Sequence, residues 1–383
     1  MKPLTNRKRH ILFLFSDTGG GHRSAAEAII EALVMKYKGE VKTDMVDIFK
    51  DYAPLPLNYM PDLYPQMVRL PQAWELGYHL SDGSRRSRLI TTGSWPYVRK
   101  SIRAMVSQHP SDLIVSVHPI AIAPTLRALG DTRPPFITVV TDLVTGHALW
   151  FNPKVDLCIV PTEPARQRAI RFGIRPEQVA VVGLPVAQRF CQPVGNKNEL
   201  QRQLGWPTKF PIVLLVGGGE GMGPLQQVAE SIAEEHLPLT MVIITGRNEK
   251  LFSRLNARNW PMPTFIYGFV RQMPEFMRAA DILITKAGPG TISEALNAHL
   301  PMILYSRLPG QEEGNVSYVV SEGAGVWAPK TDELVQSLKA WIKNPELRKQ
   351  ASLACSKIAR PQAANQIAEI LAQRIGIETG TSV

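Results

Sequence analysis

The sequence predicts an α/β protein built from two doubly wound parallel sheets, one in each half of the chain. Three observations carry this expectation. Short β-branched runs alternate with helical patterns, and strand, crossover and strand in that order make a parallel sheet covered on both faces. The alternation restarts at Pro211. In each half the first strand opens into a glycine-rich turn, as ligand-binding parallel sheets do at their carboxyl edge. The 383 residues also exceed one ordinary core and suit two domains of roughly 150–200 residues each.

In the first half, His10–Ser16 reads as a buried strand, and Ser24–Tyr37 as a helix with Ala25, Ala28, Ile29, Ala32 and Leu33 on one face. Strands are expected at Val41–Asp47, Leu113–Val117, Phe136–Thr141 and Leu157–Val160. Between Phe49 and Tyr97 the alternation breaks down. Aromatics and prolines there (Tyr52, Pro54, Pro56, Tyr59, Trp74, Tyr78, Trp95) accompany Arg85, Arg86 and Arg88. The stretch reads either as a segment touching a lipid interface or as a helical lid with core aromatics. In the second half, Pro211–Val216 leads into Gly217–Gly223 and a helix over Leu225–Glu235. Strands at Leu239–Thr245, Thr264–Tyr267, Ile282–Thr285 and Met302–Tyr305 follow. The polar stretch Cys191–Pro207 is the expected join, giving domains 1–195 and 196–360. A closing segment, 361–383, carries a helix over Ala363–Ile375 that is expected to pack back on the first domain.

An apolar share of 44% with 20% charged residues belongs to a folded globular chain. Cys158, Cys191 and Cys355 are widely spaced with no CxxC pair, so inert thiols in a reducing compartment are expected. The run Ile11–Phe15 is too short for a signal-peptide core, and no run of about 20 apolar residues occurs. A place in the cytoplasm or on the cytoplasmic face of a membrane is therefore expected. Residues 1–200 hold 25 Lys and Arg against 17 Asp and Glu, whereas residues 201–383 hold 18 against 16. Only the first half is thus set to meet an anionic partner. Scattered basic residues without a recognition motif argue against nucleic acid.

Four segments carry chemistry. In Ser16–His22 three glycines allow close backbone approach, and His22 falls at a helix start where the dipole disfavours imidazolium. A neutral imidazole there can take a proton from an alcohol. Gly217–Gly223 offers the backbone N–H groups of Glu220 to Gly223 to a diphosphate, without the lysine pattern of a Walker loop. In Thr285–Ala295, Gly288 and Gly290 permit a tight turn, Thr291 and a helix start suit phosphate, and Glu294 suits ribose hydroxyls. In Gly310–Asn315, Gln311 and Glu312 offer a donor and an acceptor to sugar hydroxyls.

The runs SDTGGGHRSAAEAI, TDL, GLP, VGGGEGMGP, TGRN, ITKAGPGTISEAL and GQEEGN together resemble the monogalactosyldiacylglycerol synthase family, in order and over almost the whole chain. Its more distant relative is the enzyme that adds N-acetylglucosamine to the lipid-linked peptidoglycan precursor. The resemblance implies a GT-B fold of two facing Rossmann-like domains, an inverting mechanism, and a UDP-sugar held by the C-terminal domain. It implies His22 as base, with Gly20, Gly21, Asp142 and Trp150 on the acceptor side and Pro54 or Pro56 near an anionic-lipid site. On the donor side it implies Gly219, Glu220, Gly221, Met222 and Gly223 with Gly288, Pro289, Gly290 and Thr291 around the diphosphate, and Lys286 and Ala287 as further donor-binding residues. Phe269 and Val270 would meet uracil, Glu294 ribose, and Gln311 and Glu312 the sugar, with Asn315 and Arg247 lining the same pocket. Gly146 and Ala148 stand where the plant pattern has a cysteine and a proline.

The reaction so implied is transfer of galactose from UDP-galactose to diacylglycerol at an anionic membrane surface. Asp142 is a candidate to orient His22. With no DxD motif, neither a metal nor another cofactor is expected. UDP-glucose as donor, a sugar-nucleotide epimerase and a sensor without turnover remain as rival readings.

Overall fold

The computed structural model describes residues 7–18, 21–67, 70–219, 221 and 223–377. The chain divides into two compact units: one takes residues up to Gln188 with Pro309–Gln311 and everything from Gln362, the other Arg189–Leu308 with Glu312–Pro361.

The first unit runs β1 (Arg9–Phe15), α1 (Gly21–Lys36), β2 (Val41–Asp47), α2 (Met60–Met67), α3 (Pro71–Ser81), α4 (Ser84–Gln108), β3 (Leu113–Ser116), α5 (Pro119–Leu129), β4 (Phe136–Val139), β5 (Leu157–Val160), α6 (Glu163–Arg171) and β6 (Val179–Val181). Its six strands are parallel, in the order β2-β1-β3-β4-β5-β6. A strand buried on both faces needs a continuous apolar run. Along β1, Ile11, Phe13 and Phe15 enter one core cluster, while Leu12 and Leu14 enter the other.

The second unit runs α7 (Lys197–Gln203), β7 (Ile212–Val216), α8 (Leu225–Glu234), β8 (Thr240–Ile244), α9 (Glu249–Asn256), β9 (Thr264–Tyr267), α10 (Met273–Ala279), β10 (Ile282–Lys286), α11 (Pro289–Asn297), β11 (Met302–Ser306), α12 (Glu313–Ser321), β12 (Gly325–Trp327), α13 (Thr331–Lys343) and α14 (Pro345–Ile358). Its parallel sheet has the order β12-β11-β10-β7-β8-β9. The last helix, α15 (Ala363–Arg374), belongs to the first unit. Ala363, Ala364, Ile367, Ala368, Leu371 and Ala372 enter the core cluster that holds Ala28, Ile29 and Leu33 of α1. Small residues on both helices allow a close approach, and Lys36 Nζ reaches Glu369 Oε1 at 2.5 Å.

The segment where the predicted alternation breaks down is helical. It forms α2, α3 and α4, the last 25 residues long with Pro96 inside it. Its aromatics divide between the two readings: Tyr78 and Trp95 are buried, whereas Tyr59 and Tyr97 are exposed. Leu63, Leu76, Leu80, Leu89 and Ile90 are exposed beside them, Leu89 at 72%. Among the described residues no helix is long and apolar enough to cross a membrane.

The packing of α15 is testable. Leu371 is fully buried, so Leu371→Ala is expected to lower unfolding free energy by about 2–5 kcal/mol. Urea unfolding measures this, and a change under about 0.5 kcal/mol, the level of a surface substitution, would mean that the helix adds little to the core.

Candidate active site

A parallel sheet opens a crevice where neighbouring strands send their connections to opposite faces. In the first unit that point lies between β1 and β3, because β2 is placed on one side of β1 and β3 to β6 on the other. The residues leaving β1 and β3 meet there. Arg23 closes the turn after β1 by donating to both carboxylate oxygens of Asp17 at 2.6 Å, while its guanidinium lies 4.5 Å from the Phe15 ring centre. That bond holds the Asp17 carboxyl below its ordinary range, against the opposing effect of burial.

His22 sits in the first turn of α1. Its Nδ1 lies 2.8 Å from the Val117 carbonyl and 2.9 Å from the Thr141 hydroxyl. A carbonyl only accepts, so the ring hydrogen belongs on Nδ1 and Nε2 keeps its lone pair. Desolvation of the ring lowers its pKa to about 4, with the Val117 bond opposing. The imidazole is therefore neutral at physiological pH, the state a general base requires.

Asp142 does not orient this ring. The buried carboxylate accepts from Trp150 Nε1 at 2.6 Å and from Gln311 Nε2 at 3.0 Å, and the polar partners of His22 are Val117 and Thr141. Trp150 is fully buried with its ring centre 6.0 Å from that of His22. It walls the histidine from within and presents no face to a ligand. Gly146 is tied to this packing, since a Cβ on it would stand 3.2 Å from the Trp150 ring. Gly21 opens α1, and Pro54 and Pro56 lie in the loop between β2 and α2. Gly20, Glu220 and Met222 lie outside the described residues.

Sequence reasoning missed Thr141 and His118. Both follow a strand of the first sheet, and that position, the same one that singled out His22, was the available signal.

The second unit repeats the arrangement, with its reversal between β7 and β10. Here the glycines serve backbone packing first. Gly221 has φ 58°, and a Cβ on it would lie 2.0 Å from the Thr245 carbonyl oxygen. Gly246, at φ 60°, faces the Gly219 carbonyl in the same way, and the Arg247 N–H donates to that carbonyl at 2.9 Å. Gly218, Gly219 and Gly221 are thus seated on the loop 245–248. One expectation needs correcting: the Gly221 N–H donates to the Gly218 carbonyl at 3.1 Å, so it is already engaged and is not offered to a diphosphate.

Two cations border this turn instead. A Cβ on Gly218 would stand 3.7 Å from Lys286 Cε, one on Gly288 3.1 Å from Lys286 Nζ, and one on Gly219 3.6 Å from an Arg247 guanidinium nitrogen. Lys286 therefore lies between the two glycine turns. It is paired with Glu312 Oε1 at 2.9 Å, and Glu312 Oε2 accepts from the Leu308 N–H at 2.7 Å. Both oxygens of Glu312 have protein partners and the residue is buried, so its first role is to fix Lys286.

α11 begins at Pro289 with Gly288 as its cap, which puts Gly290 and Thr291 inside the first turn and not at its start. Ala287 is anchored through its carbonyl by the buried Asn315 Nδ2 at 2.9 Å. Burial raises the Glu294 carboxyl to about 8, with Arg189 opposing. Phe269 is exposed, its ring centre 4.7 Å from the Arg247 guanidinium carbon, with Val270 half-buried beside it. The guanidinium over this exposed ring is a cation–π pair. A cleft of about 420 Å³ opens beside Gly221 and Gly223, lined also by Asn248 and Arg254.

Two parallel six-stranded sheets, each reversing its strand order once, define the GT-B fold. Solved structures agree in fold: S. aureus MnaA with UDP superposes with a TM-score of 0.64 at 15% identity, covering 97% of this chain and 98% of that one. Acinetobacter baumannii MurG gives 0.63 at 14%, covering 95% and 99%. Residues 22–186 match the family model for monogalactosyldiacylglycerol (MGDG) synthase, and residues 212–373 the glycosyltransferase family 28 C-terminal domain. Monogalactosyldiacylglycerol synthase 2, chloroplastic, of Arabidopsis thaliana is 39% identical over 370 residues, which cover 93% of this chain and 79% of that protein. The chain belongs to the monogalactosyldiacylglycerol synthase family.

Gly221→Ala tests the seating of the two loops. With a positive φ and a carbonyl at 2.0 Å, the variant is expected to lose UDP affinity by about tenfold or more, some 1.4 kcal/mol, with a lower melting temperature. Wild-type UDP affinity by calorimetry would show that the turn can lift off the 245–248 loop without consequence.

Proposed function

We propose that this enzyme transfers galactose from UDP-galactose to the free hydroxyl of 1,2-diacylglycerol, with inversion, to make monogalactosyldiacylglycerol. The observation that carries the chemistry is the His22 ring, held through Nδ1 by Val117 and Thr141 and uncharged through burial. The names of the relatives supply the sugar and the lipid. Nε2 takes the proton of the acceptor hydroxyl as its oxygen attacks the anomeric carbon, and UDP departs from the opposite face. Lys286 and Arg247, with the start of α11, meet the charge that develops on the diphosphate. The reading needs no metal cofactor. Glu294 binds the ribose: among the described residues its desolvated carboxyl makes no hydrogen bond, and a pair of hydroxyls supplies what it lacks. Phe269 and Val270 pack on uracil, and Gln311 and Glu312 read the hexose.

The acceptor brings the enzyme to a membrane surface as a peripheral protein. Support comes from α3 and α4, where Leu76, Leu80 and Leu89 are exposed on helices that also expose Arg85, Arg86 and Arg88. Apolar side chains beside cations suit an interface with anionic headgroups.

Labelled UDP-galactose and UDP-glucose, each incubated with diacylglycerol, test the reaction. A galactolipid from the first donor alone is expected, and a glucolipid would reassign the sugar. His22→Ala is expected to abolish transfer while leaving UDP affinity within about twofold, well under the 1.4 kcal/mol of a tenfold change. In the wild type, kcat/KM is expected to hold level on acidification past the ordinary histidine value of 6.5 and to fall through about 4, because only the neutral ring accepts a proton. An acid limb centred at 6.5 would show the ring to be solvated.

Co-sedimentation with phosphatidylglycerol vesicles tests the surface. Each arginine is expected to contribute about 1 kcal/mol, so replacing Arg85, Arg86 and Arg88 with glutamine should weaken binding and flatten its salt dependence. Unchanged binding by the triple variant would move the membrane face elsewhere.

A further inference from the structure

His118 has no part in the mechanism above, yet it occupies the same crevice. It lies two residues beyond the end of β3 and is 4% exposed. Its ring stands edge-on to His22, with centres 4.6 Å apart and planes at 69°, and edge-on to Phe49 at 6.0 Å. Nε2 is 3.1 Å from the Thr18 hydroxyl oxygen, and Nδ1 is buried without a hydrogen-bond partner. A buried N–H is seldom left without an acceptor, so the ring hydrogen belongs on Nε2, where it is donated to Thr18. The backbone is fixed as well: the Ser116 hydroxyl donates to the His118 carbonyl at 2.8 Å.

Two consecutive residues leaving β3 thus bond to Thr18, shortly after β1, and to His22, at the start of α1. Val117 accepts from His22, and His118 donates to Thr18. The Asp17–Arg23 pair joins the same two stretches through charge. Burial keeps the His118 ring uncharged, so it bounds His22 without repelling a proton from it.

We propose that His118 is a positioning residue for the transfer reaction, which with Thr18 fixes the turn and walls the His22 ring in the orientation set by Val117. This rests on the reading of His22 as the base. Misplacement of a reacting group by about 1 Å costs on the order of 100-fold in rate, and a turn held at one end only permits such a shift.

The test compares His118→Phe, His118→Gln, Thr18→Val and Thr18→Ser in turnover of UDP-galactose and diacylglycerol, with UDP calorimetry and thermal melting alongside. His118→Phe keeps the wall but loses the donor, and Thr18→Val loses the acceptor with little change in volume. Both are expected to lower kcat by about 10–100-fold, leaving UDP affinity and the KM for UDP-galactose within about twofold. His118→Gln and Thr18→Ser, which retain a polar partner, are expected to recover most of that loss. The double variant His118→Phe/Thr18→Val is expected to be no slower than the worse single one, because one interaction is removed twice. Wild-type kcat in Thr18→Val would overturn the proposal even where His118→Phe fails to fold, as would multiplying losses in the double variant. His22→Ala separates the two readings: if it retains turnover, the base assignment falls. If it is inactive while Thr18→Val and His118→Phe turn over normally, only the role of His118 falls.

Discussion

The reversal of strand order in each sheet is the constraint on which the rest depends. Parallel strands need crossovers, and a right-handed crossover covers one face or the other according to the direction in which the sheet grows. In the first unit growth changes direction between β1 and β3, and in the second between β7 and β10. Only at those two points do neighbouring strands send their exits apart and leave room for a ligand. His22, Val117 and His118 stand at the first, and Gly218, Lys286 and Gly288 at the second. No residue of either set is near another in the sequence except through its own strand. The sheets bring them together.

The two crevices solve opposite electrostatic problems. The His22 ring is kept uncharged, and burial decides this more than the helix dipole does. A dipole contributes about 0.3–1 kcal/mol at a helix end, whereas a fall in pKa from 6.5 to about 4 needs more than that at 1.36 kcal/mol per unit. The neighbours are accordingly a carbonyl, a hydroxyl, a tryptophan and a second neutral histidine. At the second crevice, charge is gathered. Lys286 and Arg247 border Gly218 and Gly219.

Much of this was legible in the sequence, for reasons that particular residues make plain. Ile11 to Phe15 is apolar without a break because β1 is covered on both faces, and a covered strand has no polar side to alternate. The helix after it shows its face through Ala25, Ala28, Ile29, Ala32 and Leu33, all buried. The segment of α2 to α4 was illegible because its helices expose leucines where a pattern reader expects polar residues. Pro71 opens α3 and Pro96 lies within α4, places where a proline interrupts a helical pattern without ending the helix. β6 and β12, three residues each, are too short to show a period. At the site, glycine turns and His22 carried their own signal. Of the partners of His22, Thr141 carried only its place after a strand, and Val117 none, because it acts through a backbone carbonyl that any residue offers. The engagement of the Gly221 N–H was equally invisible, since it depends on a turn and not on residue type.

The pairing of Lys286 with Glu312 shows how the second crevice can be cationic and still fold without a ligand. A lysine held between two glycine turns with no counterion would repel Arg247 and lose hydration on both sides. Glu312 removes that difficulty, yet a buried carboxylate is itself costly, and removing one partner of such a pair costs about 3–5 kcal/mol. The Leu308 N–H takes up the second oxygen, so both carboxylate oxygens are satisfied within the protein. The lysine is thereby held between the two glycine turns by the protein itself. Lys286 ends β10, and Glu312 caps α12, the helix that follows the neighbouring strand β11, so the pair is a product of the same sheet order that opens the crevice.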